Sequence, residues 1–254
     1  MMIDTHAHIS IDDYDNVEEV IKKMGNNLIF VSGSNTKNNK EVLSLIKKYN
    51  NIYGTLGIHP EEVNNITDKD LKFIEENINN PKIIGIGEIG LDFYWTKENK
   101  EKQIEVFIKQ LEIAKKYNKT VVIHSRDSAN ETYNILKEYF FGGKIVIHCY
   151  SYSLEMAHNF IEIGAMLGIG GVLTFKNSVK LKEIVEKIDI KYLLLETDSP
   201  YLSPEPLRGK VNEPYNIRYI AEKIAEIKGV SLEKVFTETS KNACRQFDLH
   251  LDLC

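Results

Sequence analysis

The run KIIGIGEIG (residues 82–90) is apolar except for its first residue and a glutamate near its end. It shows no polar–apolar alternation, so it reads as a strand buried on both faces, as a helix-covered parallel sheet requires. Seven other runs resemble it: IDTHAHI (3–9), LIFVSGS (28–34), IYGTLGIHP (52–60), TVVIHSR (120–126), KIVIHCY (144–150), AMLGIGG (165–171) and YLLLETDS (192–199). Between them lie VEEVIKKM (17–24), EVLSLIKKY (41–49), KQIEVFIKQLEIAKKY (102–117) and SVKLKEIVEKI (178–188), whose apolar residues recur at three and four and read as helices. Thr67 with Asp70 three residues on has the form of a capping box, and Thr96 precedes another charged first turn. Eight strand-like runs with interposed helices predict an α/β fold, a (β/α)8 TIM barrel. Periodicity does not show closure, so an open doubly wound sheet is the alternative. After the eighth run a loop rich in Pro and Gly, SPYLSPEPLRGKVNEP (199–214), leads to two further helices, expected near Pro214 and Ser231.

The 254 residues suit one barrel, and no Pro/Gly/Ser linker divides them, so residues 1–254 are expected to form a single domain. A formal charge of −5 excludes a polycation that binds nucleic acid through bulk electrostatics, but not a local positive site. Three widely spaced cysteines, Cys149, Cys244 and Cys254, suit a reducing compartment. With no membrane span and no signal pattern, a cytoplasmic location is the default, with no membrane contact and no obligate protein partner implied.

In such a barrel the active site forms at the carboxyl ends of the strands, and there the polar residues collect. His6 and His8 end the first run, His59 the third, Glu88 the fourth, His124 the fifth, His148 the sixth and Asp198 the eighth. Strand parity projects Asp4, His6 and His8 together, pairs Glu196 with Asp198, His124 with Arg126 and His148 with Tyr150, and sends Cys149 to the opposite face as a small core residue. Two imidazoles on one face can reach one metal, and a carboxylate between imidazole groups can bridge two. Singly, each of these residues reads more simply as a satisfied core histidine or half of an ion pair. Jointly, His6, His8, Glu88, His124, His148 and Asp198, at the ends of five apolar strands, read as a shared metal site.

The stretches IDTHAHI, GIHPE, GIGEIGLDFYW, VIHSRDS, VIHCYS, LLLETDSPYLSP and RGKVNEP together resemble the TatD family of metal-dependent hydrolases, over nearly the whole chain. The resemblance implies a barrel of the amidohydrolase-like superfamily and a metal-dependent deoxyribonuclease that removes nucleotides 3′→5′. It also implies two divalent cations per chain (Mg, Mn or Zn). His6, His8, Glu88 and Asp198 would form one site, and Glu88, His124 and His148 the other, with Glu88 bridging. One position departs from the family pattern: Glu61 follows the proline of GIHP, where a histidine is frequent, which makes that rim more acidic.

The expected mechanism is in-line attack of metal-activated water on a phosphodiester, with DNA as substrate, either single-stranded or at 3′ ends. Asp198, Glu88 and His59 are the expected catalytic residues. Asp198 would ligate metal and orient or deprotonate water, and His59 would contact the phosphate or leaving group, against a structural hydrogen bond as the simpler role. Substrate contacts are expected from His59, Arg126, Tyr94, Arg208 and Lys210. The simpler readings are a salt bridge of Arg126 to Asp127, Asp92 or Glu196, packing of Tyr94 and Trp95 against the rim, and loop capping or solvation for Arg208, Lys210 and Asn212. Glu196 is expected to hold a ligand or Arg126. His158 and His250 read as surface residues. Competing functions are hydrolysis of another bond, an aminoacyl-tRNA ester or a cyclic amide, and a non-catalytic nucleic-acid-binding module. Amide-hydrolysing relatives often bridge their metals with a carboxylated lysine on the fourth strand. Glu88 stands there instead and favours the nuclease-like branch.

Overall fold

The computed structural model describes residues 1–95 and 98–251; Thr96 and Cys254 lie outside the described residues. Eight parallel strands follow one another in chain order around a barrel. They are β1 (Ile3–Ala7), β2 (Leu28–Ser32), β3 (Ile52–Leu56), β4 (Ile83–Asp92), β5 (Thr120–Arg126), β6 (Ile145–Ile147), β7 (Ala165–Ile169) and β8 (Leu193–Leu195). Helices cover them: α1 (Val17–Lys23), α2 (Thr36–Lys48), α3 (Asp68–Asn77), α4 (Lys100–Lys116), α5 (Ala129–Tyr139), α6 (Leu154–Glu162), α7 (Val179–Lys187), α8 (Ile217–Lys228) and α9 (Leu232–Phe247). The open sheet is thereby excluded. Closure is made just beyond β8, where Ala7 bridges Ser199. There Asp198 N–H donates to His6 O at 3.0 Å and His8 N–H to Ser199 O at 2.6 Å.

The strands carry buried residues almost throughout, because one face meets the helices and the other fills the barrel. Ile3, Phe30, Ile84, Val122, Val146, Met166 and Leu194, from seven strands, form one apolar cluster with Ala243 and Phe247 of α9. Phe30 and Phe247 meet edge to face at 5.0 Å. Gln246 Nε2 donates to Ile145 O at 2.7 Å, and Asn242 Nδ2 to Leu193 O at 2.9 Å. These bonds seat α9 on the strands. Each buried aromatic or aliphatic side chain of this plug contributes about 1.5–3 kcal/mol.

The start signals behave as their chemistry demands. Asp70 accepts from the backbone N–H of Thr67 at 2.8 Å and from its hydroxyl at 2.9 Å. The loop after β8 enters α8 through a 3-10 turn at Pro214–Asn216, and Ser231 accepts from Lys234 N–H at 3.2 Å to cap α9. Among the described residues no helix is long and apolar enough to cross a membrane.

Candidate metal centre

Two strands depart from regular pairing at the residues that matter. Between Asp4 and Ala7, β1 advances three residues while β2 advances two, from Ile29 to Val31. Between Ile86 and Ile89, β4 carries one residue more than β5 does. Such bulges re-aim side chains, and they fall beside His6 and Glu88. The parity reading therefore fails for Asp4. Its buried carboxylate accepts from the Thr197 hydroxyl at 2.6 Å, the Thr197 N–H at 2.9 Å and the His6 N–H at 3.3 Å, tying β1 to the chain beyond β8, and among the described residues none of its contacts is with a histidine ring. It also fails at Cys149, whose φ of +47° turns the chain after His148. The half-buried thiol lines the cavity rather than the core. Asp198 sits in the same left-handed region, at φ +53°, a conformation that Asp tolerates better than most residues.

Six side chains converge where sequence analysis expected them to. His6 Nε2 and His8 Nε2 lie 3.2 Å apart. Glu88 Oε2 is 3.4 and 3.3 Å from these two nitrogens, and Asp198 Oδ1 is 3.6 and 3.7 Å away. On the other side, Glu88 Oε1 is 2.8 Å from both His124 Nδ1 and His148 Nε2, which lie 3.3 Å from each other. Each oxygen of one carboxylate thus faces its own pair of imidazoles. Gly57 permits the approach: a Cβ there would meet the backbone of Gly87 and Glu88 within 2.6–2.8 Å.

The rings are held from behind. Ser32 O stands 3.1 Å from His8 Nδ1, and Ser32 Oγ is 3.1 Å from His6 Nδ1. A carbonyl oxygen can only accept, so His8 Nδ1 carries a hydrogen, and in the neutral ring its Nε2 presents a lone pair to the centre. Asp92 Oδ2 lies 2.9 Å from His124 Nε2, so in the neutral ring Nε2 carries the hydrogen and Nδ1 is the lone pair facing Glu88. Bare lone pairs and carboxylate oxygens a few ångströms apart, with little water, repel unless a cation lies between them. Zinc-like ligand bonds of about 2.1 Å put neighbouring donors roughly 3.0–3.4 Å apart. The donor set therefore fits metal, and three overlapping groups of these residues, the third including His59, are close enough to hold an ion.

The charges balance accordingly. Burial lowers the His6 pKa to about 3, helped by the neighbouring His148, so this ring is neutral. Burial also opposes charge on His8, but Glu88 and Asp198 outweigh it and raise its pKa to about 9. His124 likewise rises to about 9 against burial, through Asp92 and Glu88. Burial would raise Glu88, yet His148, His59 and His124 hold it well below the usual carboxylate range. Burial pushes Asp198 up, and so does the nearby Glu88. Without a cation, protons on the histidines supply the positive charge.

His59 accepts from Glu61 N–H at its Nδ1, at 3.2 Å, and so caps the 3-10 turn Pro60–Asn65. Its Nε2 therefore carries a hydrogen and points at Glu88 Oε1 from 3.5 Å. The structural bond and the inward-facing donor coexist in one ring. Glu196 is fully buried beside His148, with Oε1 accepting from Cys149 N–H and standing 3.9 Å from His148 Nδ1. It is anchored by Cys149 N–H and pairs with neither Arg126 nor, at hydrogen-bond distance, His148, whose Nδ1 has no hydrogen-bond partner among the described residues. Burial, with Asp198 and Glu88 near, lifts its pKa to about 7.

Arg126 makes none of the salt bridges considered for it. Its guanidinium lies 4.0 Å from the Tyr94 ring centroid and 5.4 Å from that of Trp95. Arg126 and Trp95 line the cavity of about 900 Å³ over the centre, while Tyr94 backs the arginine. Arg208 and Lys210 do not line it: Arg208 stacks on Phe175 at 4.3 Å, and the Lys210 backbone closes a turn with Leu207 and Ser203. Asn212 is a buried loop clamp, donating to Thr197 O at 3.0 Å and Tyr201 O at 2.8 Å. His158 and His250 are exposed. Sequence analysis missed Ser32 and the role of Asp92. Asp92 had a signal, since it lies four residues beyond Glu88 on the same strand.

Comparison with known proteins adds an independent line. The profile of the family described as TatD related DNase matches residues 3–248. The uncharacterized metal-dependent hydrolase YabD of Bacillus subtilis is 39% identical over 98% of this chain and 100% of its own. The uncharacterized metal-dependent hydrolase MJ1582 of Methanocaldococcus jannaschii is 37% identical over 98% of both chains. The crystal structure of YJJV, a TatD homolog from Escherichia coli, superposes with a TM-score of 0.89 at 26% identity, over 98% of both chains.

Proposed function

The chain belongs to the TatD-related DNase family of metal-dependent hydrolases, and from that premise we propose that it hydrolyses phosphodiester bonds of DNA from a 3′ end, using two divalent cations. The observation that carries this reading is the division of Glu88 between two donor sets. His6, His8, Asp198 and Glu88 Oε2 would hold one cation, and His124, His148 and Glu88 Oε1 the other. Bound there, such cations acidify water and neutralise charge on phosphate oxygens. Mg, Mn and Zn are the candidates, and the imidazole-rich donor set favours the transition metals over Mg.

The chain's own groups do the rest. Asp198, held at the centre beside His6 and His8, orients the attacking water and takes its proton. His59 offers its Nε2–H to a non-bridging or leaving oxygen. Arg126 pairs with phosphate, as its unpaired guanidinium allows. Arg208 and Lys210 take no part in this proposal. An acidic protein can bind a polyanion here because the attraction is confined to the centre and one arginine.

The test is direct. Metal-stripped protein is assayed with Mg²⁺, Mn²⁺ or Zn²⁺ on end-labelled single- and double-stranded DNA, on RNA and on aminoacyl-tRNA. Metal-dependent laddering from the 3′ end supports the reading. Hydrolysis of aminoacyl-tRNA alone selects the competing ester, and no phosphodiester cleavage with any of these metals refutes it.

A further inference from the structure

The mouth above the metal centre is electrically divided. Its β1–β3 arc carries five carboxylates on the cavity wall: Asp12, Asp13, Glu41, Glu61 and Glu62. Only Asp12 has a close ammonium, Lys37 at 2.7 Å, which stands 4.0 Å from Glu41. Among the rest, Ser10 donates to Asp13 at 2.6 Å, Asn35 to Glu62 at 3.0 Å and Asn38 to Glu41 at 3.2 Å, while the Glu61 carboxylate stands 3.7 Å from the His59 ring. The β4–β5 arc is the opposite. There Arg126 is the one Lys or Arg on the cavity wall among the described residues. Among the described residues no carboxylate pairs with it, and Tyr94 backs its guanidinium face, which leaves its N–H edges for an outside acceptor. Trp95, 64% exposed, stands beside it on the same wall. The β6–β8 arc is uncharged above the ligands, with Ser151, Val172, Tyr201 and Leu202.

We propose that this division threads a polynucleotide one way and selects the chemistry of its end. The retained strand lies over β4–β5, with Arg126 on the phosphate next to the scissile one and Trp95 against a base. The nucleoside to be released faces the acidic arc. A terminal hydroxyl is accepted there, since it can donate to a carboxylate, whereas a terminal phosphate is a dianion facing five carboxylates with one lysine among them. This inference rests on the phosphodiesterase reading above and adds to it a preference for chain ends bearing a free hydroxyl. An exposed guanidinium alone would hold a phosphate anywhere near it. The excess of acids over cations on the other arc supplies the direction. They are accessible to solvent, so the selection weakens as salt screens it.

One oligonucleotide is prepared with either a hydroxyl or a phosphate at the end from which it is degraded, and bis(p-nitrophenyl) phosphate serves as the reference substrate. The native protein is expected to favour the hydroxyl end by about tenfold or more in kcat/KM, with the preference shrinking as ionic strength rises. In the surface variant Glu41→Gln/Glu61→Gln/Glu62→Gln the preference should fall to roughly threefold or less, because three of the repelling charges are gone. Arg126→Ala should raise KM for the oligonucleotide at least about fivefold more than KM for the reference ester. Equal use of both ends by the native protein, or an undiminished preference in the triple variant, overturns the inference while leaving the phosphodiesterase reading intact. Failure to hydrolyse the reference ester and both oligonucleotides overturns the phosphodiesterase reading itself.

Discussion

The two halves of the proposed metal centre each present two histidines and one oxygen of Glu88, with Asp198 added beside His6 and His8, and they back their rings differently. His6 and His8 lean on the hydroxyl and carbonyl of Ser32, which are neutral. His124 leans on the carboxylate of Asp92 at 2.9 Å, and His148 faces that of Glu196 at 3.9 Å. A carboxylate behind an imidazole fixes its tautomer and makes the far nitrogen a stronger donor. The difference lies in where the neighbouring strands end, β2 in a serine and β4 in an aspartate. It teaches that two half-sites sharing Glu88 need not be equal: one leans on the Asp92 carboxylate behind His124, the other on Asp198 as a further ligand group, so the two should differ in affinity and respond differently to loss of their outer contacts.

Removing the shared element breaks the comparison most severely. Glu88→Ala takes one oxygen from each half and leaves four histidines around an uncompensated gap. We expect turnover with any divalent metal to drop by about a thousandfold or more, measured on the substrate cleaved by the native protein. Cleavage within tenfold of native would deny Glu88 its joint role.

The pH dependence of metal binding comes next. In the metal-free protein His8 and His124 keep their protons to about pH 9. A cation must displace them, so the bound state carries fewer protons and raising the pH favours it. Affinity should climb from pH 7 to 9 by about tenfold per pH unit for each proton displaced, then level off. Calorimetry in buffers of different ionisation enthalpy counts those protons, and an affinity that falls over this range would contradict the assignment.

Asymmetric damage sharpens the contrast between the halves. Asp92→Asn should weaken metal binding about 10–100-fold by chelator competition. Ser32→Ala should weaken it only severalfold, since a neutral contact is lost and the Ser32 carbonyl behind His8 remains. Equal losses from the two substitutions would show that the outer contacts do not distinguish the halves.

Much of this was legible because a barrel converts strand ends into a rim. KIIGIGEIG, TVVIHSR and KIVIHCY each announce a buried strand and leave one costly polar group at its end. The eightfold alternation needed no long-range information. What could not be read were contacts between strands. Nothing in LIFVSGS marks Ser32 as the support of two rings on β1, and Asp4 looks like a third site residue until the bulge in β1 turns it to Thr197. Parity assumes regular pairing, and it broke at β1, at β4 and at the left-handed Cys149, which lie beside ligands. The loop after β8 misled for another reason. Arg208 and Lys210 carry the right charge for a phosphate, but sequence cannot say that one stacks on Phe175 and that neither reaches the cavity.

The central claim, two cation sites joined through one carboxylate, is tested most directly by titrating metal-stripped protein with Mn²⁺ and counting bound ions, first in the native chain and then in Glu88→Ala. Two ions per chain in the native protein, of unequal affinity, and a loss of at least one of them in the variant are the expected result. A native stoichiometry of one, or two ions bound as tightly without Glu88 as with it, would contradict the shared centre.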